Sequence, residues 1–565
     1  MEQLSALDTA FINLETGSTP MHIGCMAIYD PSTAEEQPIR FKQILSYFKN
    51  RLYKTPSLRN RYIQVPVGLD YPYWIADPDF DIEFHLRHIA LPTPGDWRQL
   101  CIQLARLHAR PLDMNRPPWE IYIIEGLDNI KGIPKGCYAM VMKIHHALID
   151  GEGGAALLAT MHDLGAGAKP VETSQPWIVD RIPTSIELLA RASINTCNNT
   201  LKKSRVIAKY SLPIARGMLK RTISGKGCSL GNAPRTRFND KVSPHRVFEA
   251  MDFPLEDIKR IARAINGVKV NDVVVAIISG ALRRYLNHKG ELPEQSLNAM
   301  VPVSIRNKKN NLKGFNQLSF LFPKIYTDIE APLERLHAIH IAQGKAKSNH
   351  EAMGSTELMD LSQLLPNTMT NLAMRTVKKY NLLSHLRPFF NTVIANVAGP
   401  QIPLYQAGSK LLRFYGTGFC WDSLGLFHIV FSYNGNLTIS ATCCRDMMPD
   451  PAFYARCLQQ SFDDLFQAIE NSAKNQENIV REEKESHARQ ASLEKNSQSN
   501  EQEKTAKTSR KTTIRIDTKD GSVKQKSTDI TPKSEEKKTI KKTVSPTTPT
   551  NNSQKQQTVP KPNKQ

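Results

Sequence analysis

Residues Lys143 to Gly154, KIHHALIDGEGG, place two histidines side by side, an aspartate four positions after the second, and a glycine directly behind it. Three roles suit such a set: metal coordination, proton transfer, or plain packing of hydrogen-bonded imidazoles. Metal coordination is disfavoured. Neighbouring side chains on a strand point to opposite faces, so His145 and His146 cannot both reach one ion undistorted. Asp150 could help, but no third ligand follows at the usual spacing of a metal site. Packing is the ordinary fate of a lone histidine. This pair, however, stands where an apolar strand gives way to a short loop, a place where side chains project into crevices. Proton transfer requires an imidazole that titrates near neutrality and is held in one orientation. Asp150 can close the loop by a local bond, and Gly151 permits a φ that other residues resist.

The elements around the motif must do that holding. The apolar run GCYAMVMKI, residues 136–144, predicts a mostly buried strand, and EGGAALLATMHDL after it predicts a helix. Farther on, LEDIKRIARAING places Ile258, Ile261, Ala262 and Ile265 at helical spacing and stops at Asn266-Gly267. VNDVVVAIISGALRRYL predicts a second, more buried helix with Asn271 at its N-cap. Strand-like and helix-like stretches alternate over about 470 residues, which predicts mixed α and β layers.

The 565 residues suffice for two to four domains, and their formal charge of +20 favours acidic partners such as anionic headgroups, nucleic acid or phosphate-bearing substrates. About +9 of that charge lies in the tail, where 21 Lys and Arg face 12 Asp and Glu from Lys474 onward and no aromatic follows Phe466. Such a segment buries too little apolar surface to offset the entropy of ordering it, so disorder is expected from 475 to 565, beyond a short helix through NIVREEKESHARQ. Between residues 166 and 240 lies a connector containing LKKSRVIAKYSLPIARGMLKR, where basic and apolar residues interleave. That pattern suits either an anionic membrane surface or a solvated helix pair broken at Pro213. Nine irregularly spaced cysteines argue for a reducing compartment. With neither a signal-like start nor an apolar run of spanning length, the expected location is cytoplasmic.

His145-His146-Ala147-Leu148-Ile149-Asp150-Gly151 resembles the HHxxxDG signature of the CoA-dependent acyltransferase superfamily, which includes chloramphenicol acetyltransferase and peptide-synthetase condensation domains. Seven further stretches resemble, in order, the wax ester synthase/diacylglycerol acyltransferase family: LSALDTAFINLETGSTPMHIG, LHARPLDMNRPPWEIYIIEGL, KVNDVVVAIISGALRRYL, VPVSIR, GFNQLSFLFP, NVAGP and FSYNGNLTISATCCRDMMPD. Together they cover roughly residues 3–470. The chain departs from the family pattern at Pro118 and Ala398, where leucine and proline are usual, and in its long basic tail. A Asp-Ser-Leu triplet at 422–424 is similar to the serine motif of carrier proteins, but no four-helix module surrounds it.

The resemblance implies an α/β fold of two chloramphenicol-acetyltransferase-like domains, 1–165 and 241–474, with a substrate tunnel between them. It implies direct acyl transfer from acyl-CoA to diacylglycerol or a long-chain alcohol, with His146 as general base and acid and His145 in support. Asp150 and Gly151 would frame the loop, and no cofactor beyond the co-substrate acyl-CoA is expected. Asn271 and Asp272 match a second family motif, although helix capping accounts for them equally well. Expected partners are these substrates and a membrane or lipid-droplet surface, with peripheral attachment; nucleic acid is expected only at the tail. The competing readings are a condensation- or BAHD-type enzyme with another acceptor, and an inactive scaffold that binds lipid surfaces or polyanions through its basic tail.

Overall fold

The computed structural model describes residues 1–35, 38–149, 151–167, 181–195, 233–304, 318–353, 376 and 387–512. The chain separates into Met1–Arg481 and Glu482–Gln565. The first unit is built on two six-stranded sheets. In sheet one, Tyr405–Gln406, Ser409–Thr417, His22–Asp30, Tyr138–His145, Trp119–Glu125 and Leu86–Ala90 lie side by side, all neighbours antiparallel except the last pair. Sheet two runs Leu318–Leu321, Ala299–Ser304, Thr392–Ala398, Leu426–Tyr433, Asn436–Cys444 and Arg246–Pro254. There Thr392–Ala398 is parallel to both of its neighbours. A small third sheet joins Glu2–Gln3, Tyr73–Ala76 and Asn60–Ile63.

The motif strand is central in sheet one, and its alternation is lost because both faces are covered: seven of the eight residues of Tyr138–His145 are buried. Helix Gly151–Thr160 follows as expected. In the second half, Val273 to Leu282 are all buried in helix Val270–His288, the centre of the larger core. Its cap differs from the expectation. Lys269 is the N-cap, and Asp272, three residues on, accepts the Lys269 amide at 2.9 Å. A carboxylate at that position satisfies an orphan amide and opposes the helix dipole, which frees Asn271 for other contacts. The preceding helix, Leu255–Ala264, ends before Gly267, whose φ of +84° favours glycine.

The boundaries 1–165 and 241–474 miss one crossing. Ser409–Thr417, late in the chain, pairs with His22–Asp30 and completes sheet one. Tyr415 Oη donates to Asp252 at 2.9 Å and Thr438 Oγ1 to the Phe414 carbonyl at 3.0 Å, so the same strand binds the second sheet. At Gly416 an added Cβ would stand 2.4 Å from the Ile429 side chain, which explains the glycine where the sheets approach.

Helix Pro451–Thr512 runs on into the tail, and the short helix expected through NIVREEKESHARQ, residues 478–490, lies within it. This stretch is rich in Glu, Lys, Gln, Arg and Ala, strong helix formers, with pairs such as Glu485 and Arg489 one turn apart. The described side chains from 481 to 493 are exposed, so residue type and such pairs support this part of the helix. Residues 513–565 lie outside the described residues, as does Leu201–Arg221 of the connector. No helix among the described residues is long and apolar enough to cross a membrane.

Candidate active site

The two histidines sit at the exit of strand Tyr138–His145, and neighbouring backbone fixes both. The His145 amide donates to the Pro118 carbonyl and the His146 amide to the Met21 carbonyl, each at 2.9 Å. The Pro118 contact uses a main-chain oxygen, so the departure from leucine leaves it intact.

From this point the two rings have different surroundings. His145 is fully buried. Its Nδ1 accepts the Ala147 amide at 3.1 Å, and its Nε2 lies 2.8 Å from Glu15 Oε2. An Nδ1 that accepts must be unprotonated, so the proton sits on Nε2 and is donated to Glu15. His145 is thereby held in one tautomer, with no face open to a substrate. His146 is clamped between rings: Phe11 stacks at 4.2 Å with 14° between planes, and Phe419 meets it edge-on at 5.6 Å. Phe11 lies on helix Ala6–Leu14, whose C-cap is Glu15, so one short helix touches both histidines. The Ser5–Asp8 capping box fixes the start of that helix.

Behind the strand lies a set of buried polar groups. Burial first, then the neighbouring His108 and Lys143, lowers the His22 pKa well below the usual histidine value. Burial brings that of His108 down to about 3. His22 Nε2 donates to the His108 carbonyl at 2.6 Å, and His108 Nε2 to the Gly418 carbonyl at 2.8 Å. Lys143 is nine-tenths or more buried between Glu120 at 3.1 Å and the Arg110 carbonyl at 2.9 Å, and its own pKa is lowered, chiefly by burial. Arg246 reaches the carbonyls of Ser18, Ser243, His245 and Cys420, which ties the segment before Met21 to the turn carrying Phe419.

An apolar cavity of about 110 Å³ opens beside the motif, where the two sheets meet. Ile144 and Ile149, on either side of the histidine turn, line it with Val397, Phe414 and Phe431. A second cavity of about 50 Å³ shares Cys25, Met142, Gly154, Leu157 and Phe414 with the first and continues toward Trp119 and Met161. A Cβ added at Gly154 would meet nothing within 4 Å, so this helical glycine leaves the space open.

Of the residues singled out in the sequence, His145 and His146 come together at this site. Gly151 begins the helix that walls the cavity, and Asp150 lies outside the described residues. Asn271 Nδ2 donates to Gln343 at 2.7 Å, and its oxygen accepts from Asn396 at 3.1 Å. Asp272 also bonds His340 Nδ1 at 2.8 Å. The second motif therefore braces the end of strand Thr392–Ala398, next to the cavity-lining Val397. Gly399 follows where a Cβ would stand 2.4 Å from Phe431 and from the Ser432 carbonyl. The Asp-Ser-Leu triplet is a tight turn with Ser423 at φ +70°, not part of a strand. Glu15, Phe11, Phe419 and Arg246 escaped the sequence reading. Glu15 and Phe11 belong to the first family-like block, four residues apart, and that pairing was their signal. Phe419 and Arg246 carried none.

The model of the wax ester synthase/diacylglycerol acyltransferase catalytic domain matches residues 4–274, and that of the WS/DGAT C-terminal domain matches 315–466. The O-acyltransferase WSD of Acinetobacter baylyi is 30% identical over 468 residues, 80% of this chain and 93% of that protein. A Mycobacterium tuberculosis protein, provisionally named a diacylglycerol O-acyltransferase, is 31% identical over 450 residues, 80% of this chain and 87% of its own length. The solved wax ester synthase/diacylglycerol acyltransferase of Marinobacter aquaeolei VT8 superposes with a TM-score of 0.58 at 27% identity, covering 83% of this chain and 99% of that one. The fold is thus a pair of chloramphenicol-acetyltransferase-like α/β domains, and the chain belongs to the wax ester synthase/diacylglycerol acyltransferase family of O-acyltransferases.

Proposed function

We propose that the protein transfers a long-chain acyl group from acyl-CoA to the hydroxyl of diacylglycerol or of a long-chain alcohol, with His146 as the proton-transferring group. The observation that carries this reading is the placement of His146 between Phe11 and Phe419, at a turn whose flanking Ile144 and Ile149 open onto an apolar cavity. The turn that carries the ring thus borders a hydrocarbon-lined space.

In the proposed step His146 takes the hydroxyl proton as the oxygen attacks the thioester carbon. The tetrahedral intermediate collapses, the carbon–sulfur bond breaks, and the thiolate recovers the proton from the imidazolium. The protein's contribution is largely to orient the ring and align two substrates. Phe11 and Phe419 hold the ring, His145 and Glu15 hold the turn, and Asp150 with Gly151 frames the loop. Asn271 and Asp272 act at a distance, by bracing the cavity wall. No cofactor besides acyl-CoA takes part. Met140, Met142 and Met161, unbranched and adaptable, line the second cavity and can repack around an acyl chain. Such acceptors reside in membranes or lipid droplets, and the protein attaches peripherally to a surface of that kind.

Incubation of the purified protein with labelled palmitoyl-CoA and either a diacylglycerol or hexadecanol tests the reading. Labelled triacylglycerol, wax ester or both is the expected product. Release of free palmitate alone, with no dependence on either acceptor, would contradict it.

A further inference from the structure

The segment 185–195 is a helix with two apolar faces, of which only one is covered. Thr184 and Glu187 cap its start: the Glu187 carboxylate accepts the Thr184 amide at 2.8 Å, and Thr184 Oγ1 accepts the Glu187 amide at 3.3 Å. Leu188 and Ala192 are buried against Val65 and Tyr73. At the far end Asn195 donates to Asp70 at 2.8 Å and to Tyr73 Oη at 2.9 Å. The helix is therefore fixed to the body of the protein by its inner face.

The outer face is also apolar. Ile186, Ala190 and Ile194 recur at four-residue spacing, all exposed, with Ile186 at 79% and Ile194 at 59%. Ile182 in the lead-in is exposed too. The turn before Asp70, next to the end of the helix, adds Leu69 and Val67. Val67 is 90% exposed at φ +57°, a conformation that costs a β-branched residue energy and here serves no burial. Singly exposed apolar residues are ordinary, but a second stripe on a fixed helix beside an apolar turn marks a docking surface.

Charge identifies the occupant. From Leu188 to Asn239 the chain has eleven Lys and Arg and no Asp or Glu. Arg191, on the helix itself, is exposed. A surface of isolated branched apolar side chains, from which so basic a stretch departs, suits a bilayer or monolayer with anionic headgroups. We propose that Ile182, Ile186, Ile194, Val67 and Leu69 insert into an anionic lipid surface and so bring the acceptor's medium to the enzyme. This rests on the proposed function insofar as a lipid-dissolved acceptor gives the contact its purpose.

The test is co-flotation of the full chain with phosphatidylcholine vesicles, with and without phosphatidylglycerol, at low and high salt. The wild type is expected to float with the anionic vesicles, and less so at high salt. The double variant Ile186→Glu/Ile194→Glu should bind roughly tenfold or more weakly. Its acyl transfer to an alcohol dispersed in detergent micelles should match the wild type, which shows that the helix still folds. Equal flotation of variant and wild type would overturn the proposal, as would a wild type that floats with neither vesicle. Wild-type dimers that the substitution splits while flotation is unaltered would assign the face to a second copy, and overturn it as well. A wild type that floats but makes no ester leaves this surface standing and removes the proposed function instead.

Discussion

The ring of His146 has aromatic neighbours on its face and edge, whereas His145 beside it is enclosed and bonded at both nitrogens. His145 ends the strand and His146 opens the turn that follows, so the two side chains leave the backbone into different surroundings. Glu15 is the residue on which the arrangement hinges, because its carboxylate accepts the hydrogen bond from His145 Nε2 and it caps the helix that carries Phe11. Glu15→Gln keeps an acceptor of similar shape and removes the charge. A charge-assisted bond contributes about 1.5 kcal/mol or more, so kcat should fall about tenfold with little change in KM. Steady-state kinetics on the folded variant checks this, and an unchanged kcat would free Glu15 from the site.

At the scale of elements, helix Gly151–Thr160 both continues the motif and walls the cavity. Gly154 lines both cavities with room for a side chain. Gly154→Ala should stabilise the protein by about 1 kcal/mol, since glycine in a helix interior costs that much relative to alanine. Gly154→Leu should shift preference from palmitoyl-CoA toward shorter acyl donors. A chain-length profile on both variants, beside their denaturation midpoints, tests the two effects separately; an unshifted profile for Gly154→Leu would take the hydrocarbon out of this space. Local patterns made much of this legible. The motif strand is legible as an unbroken apolar run bounded by turn signals, and the helices as longer stretches with apolar residues at helical spacing. Ser409–Thr417 could not be placed that way: an apolar strand reads alike in either sheet, and its partner lies almost 400 residues earlier. The N-cap of Val270–His288 was misplaced because Asn271 is a good capping residue by type, whereas Asp272 performs the capping from inside the first turn.

The whole molecule carries a cost for its buried imidazoles. Burial lowers His108 and His428 to about 3 and His162 to about 4, so these rings are neutral in the folded state. Unfolded, they titrate near 6.5. Below that value the unfolded chain binds protons that the folded chain refuses, so their contribution is complete above about pH 6.5 and is lost as pH falls toward 4 and 3. Each ring costs about 1.4 kcal/mol per pH unit in that window, and the three together about 4 kcal/mol. Denaturant unfolding at about pH 7 and about pH 5 should show a large drop in midpoint, and equal midpoints would contradict the buried, neutral assignment.

The central claim is that one imidazole, His146, moves the proton. Its most direct test is ester formation from palmitoyl-CoA by the wild type, His146→Ala and a chain ending at residue 481, each checked for folding. The predicted result is a rate lower by about a thousandfold or more in His146→Ala, within the range attributed to general acid–base catalysis, and an undiminished rate in the shortened chain. Equal rates for His146→Ala and the wild type would contradict it.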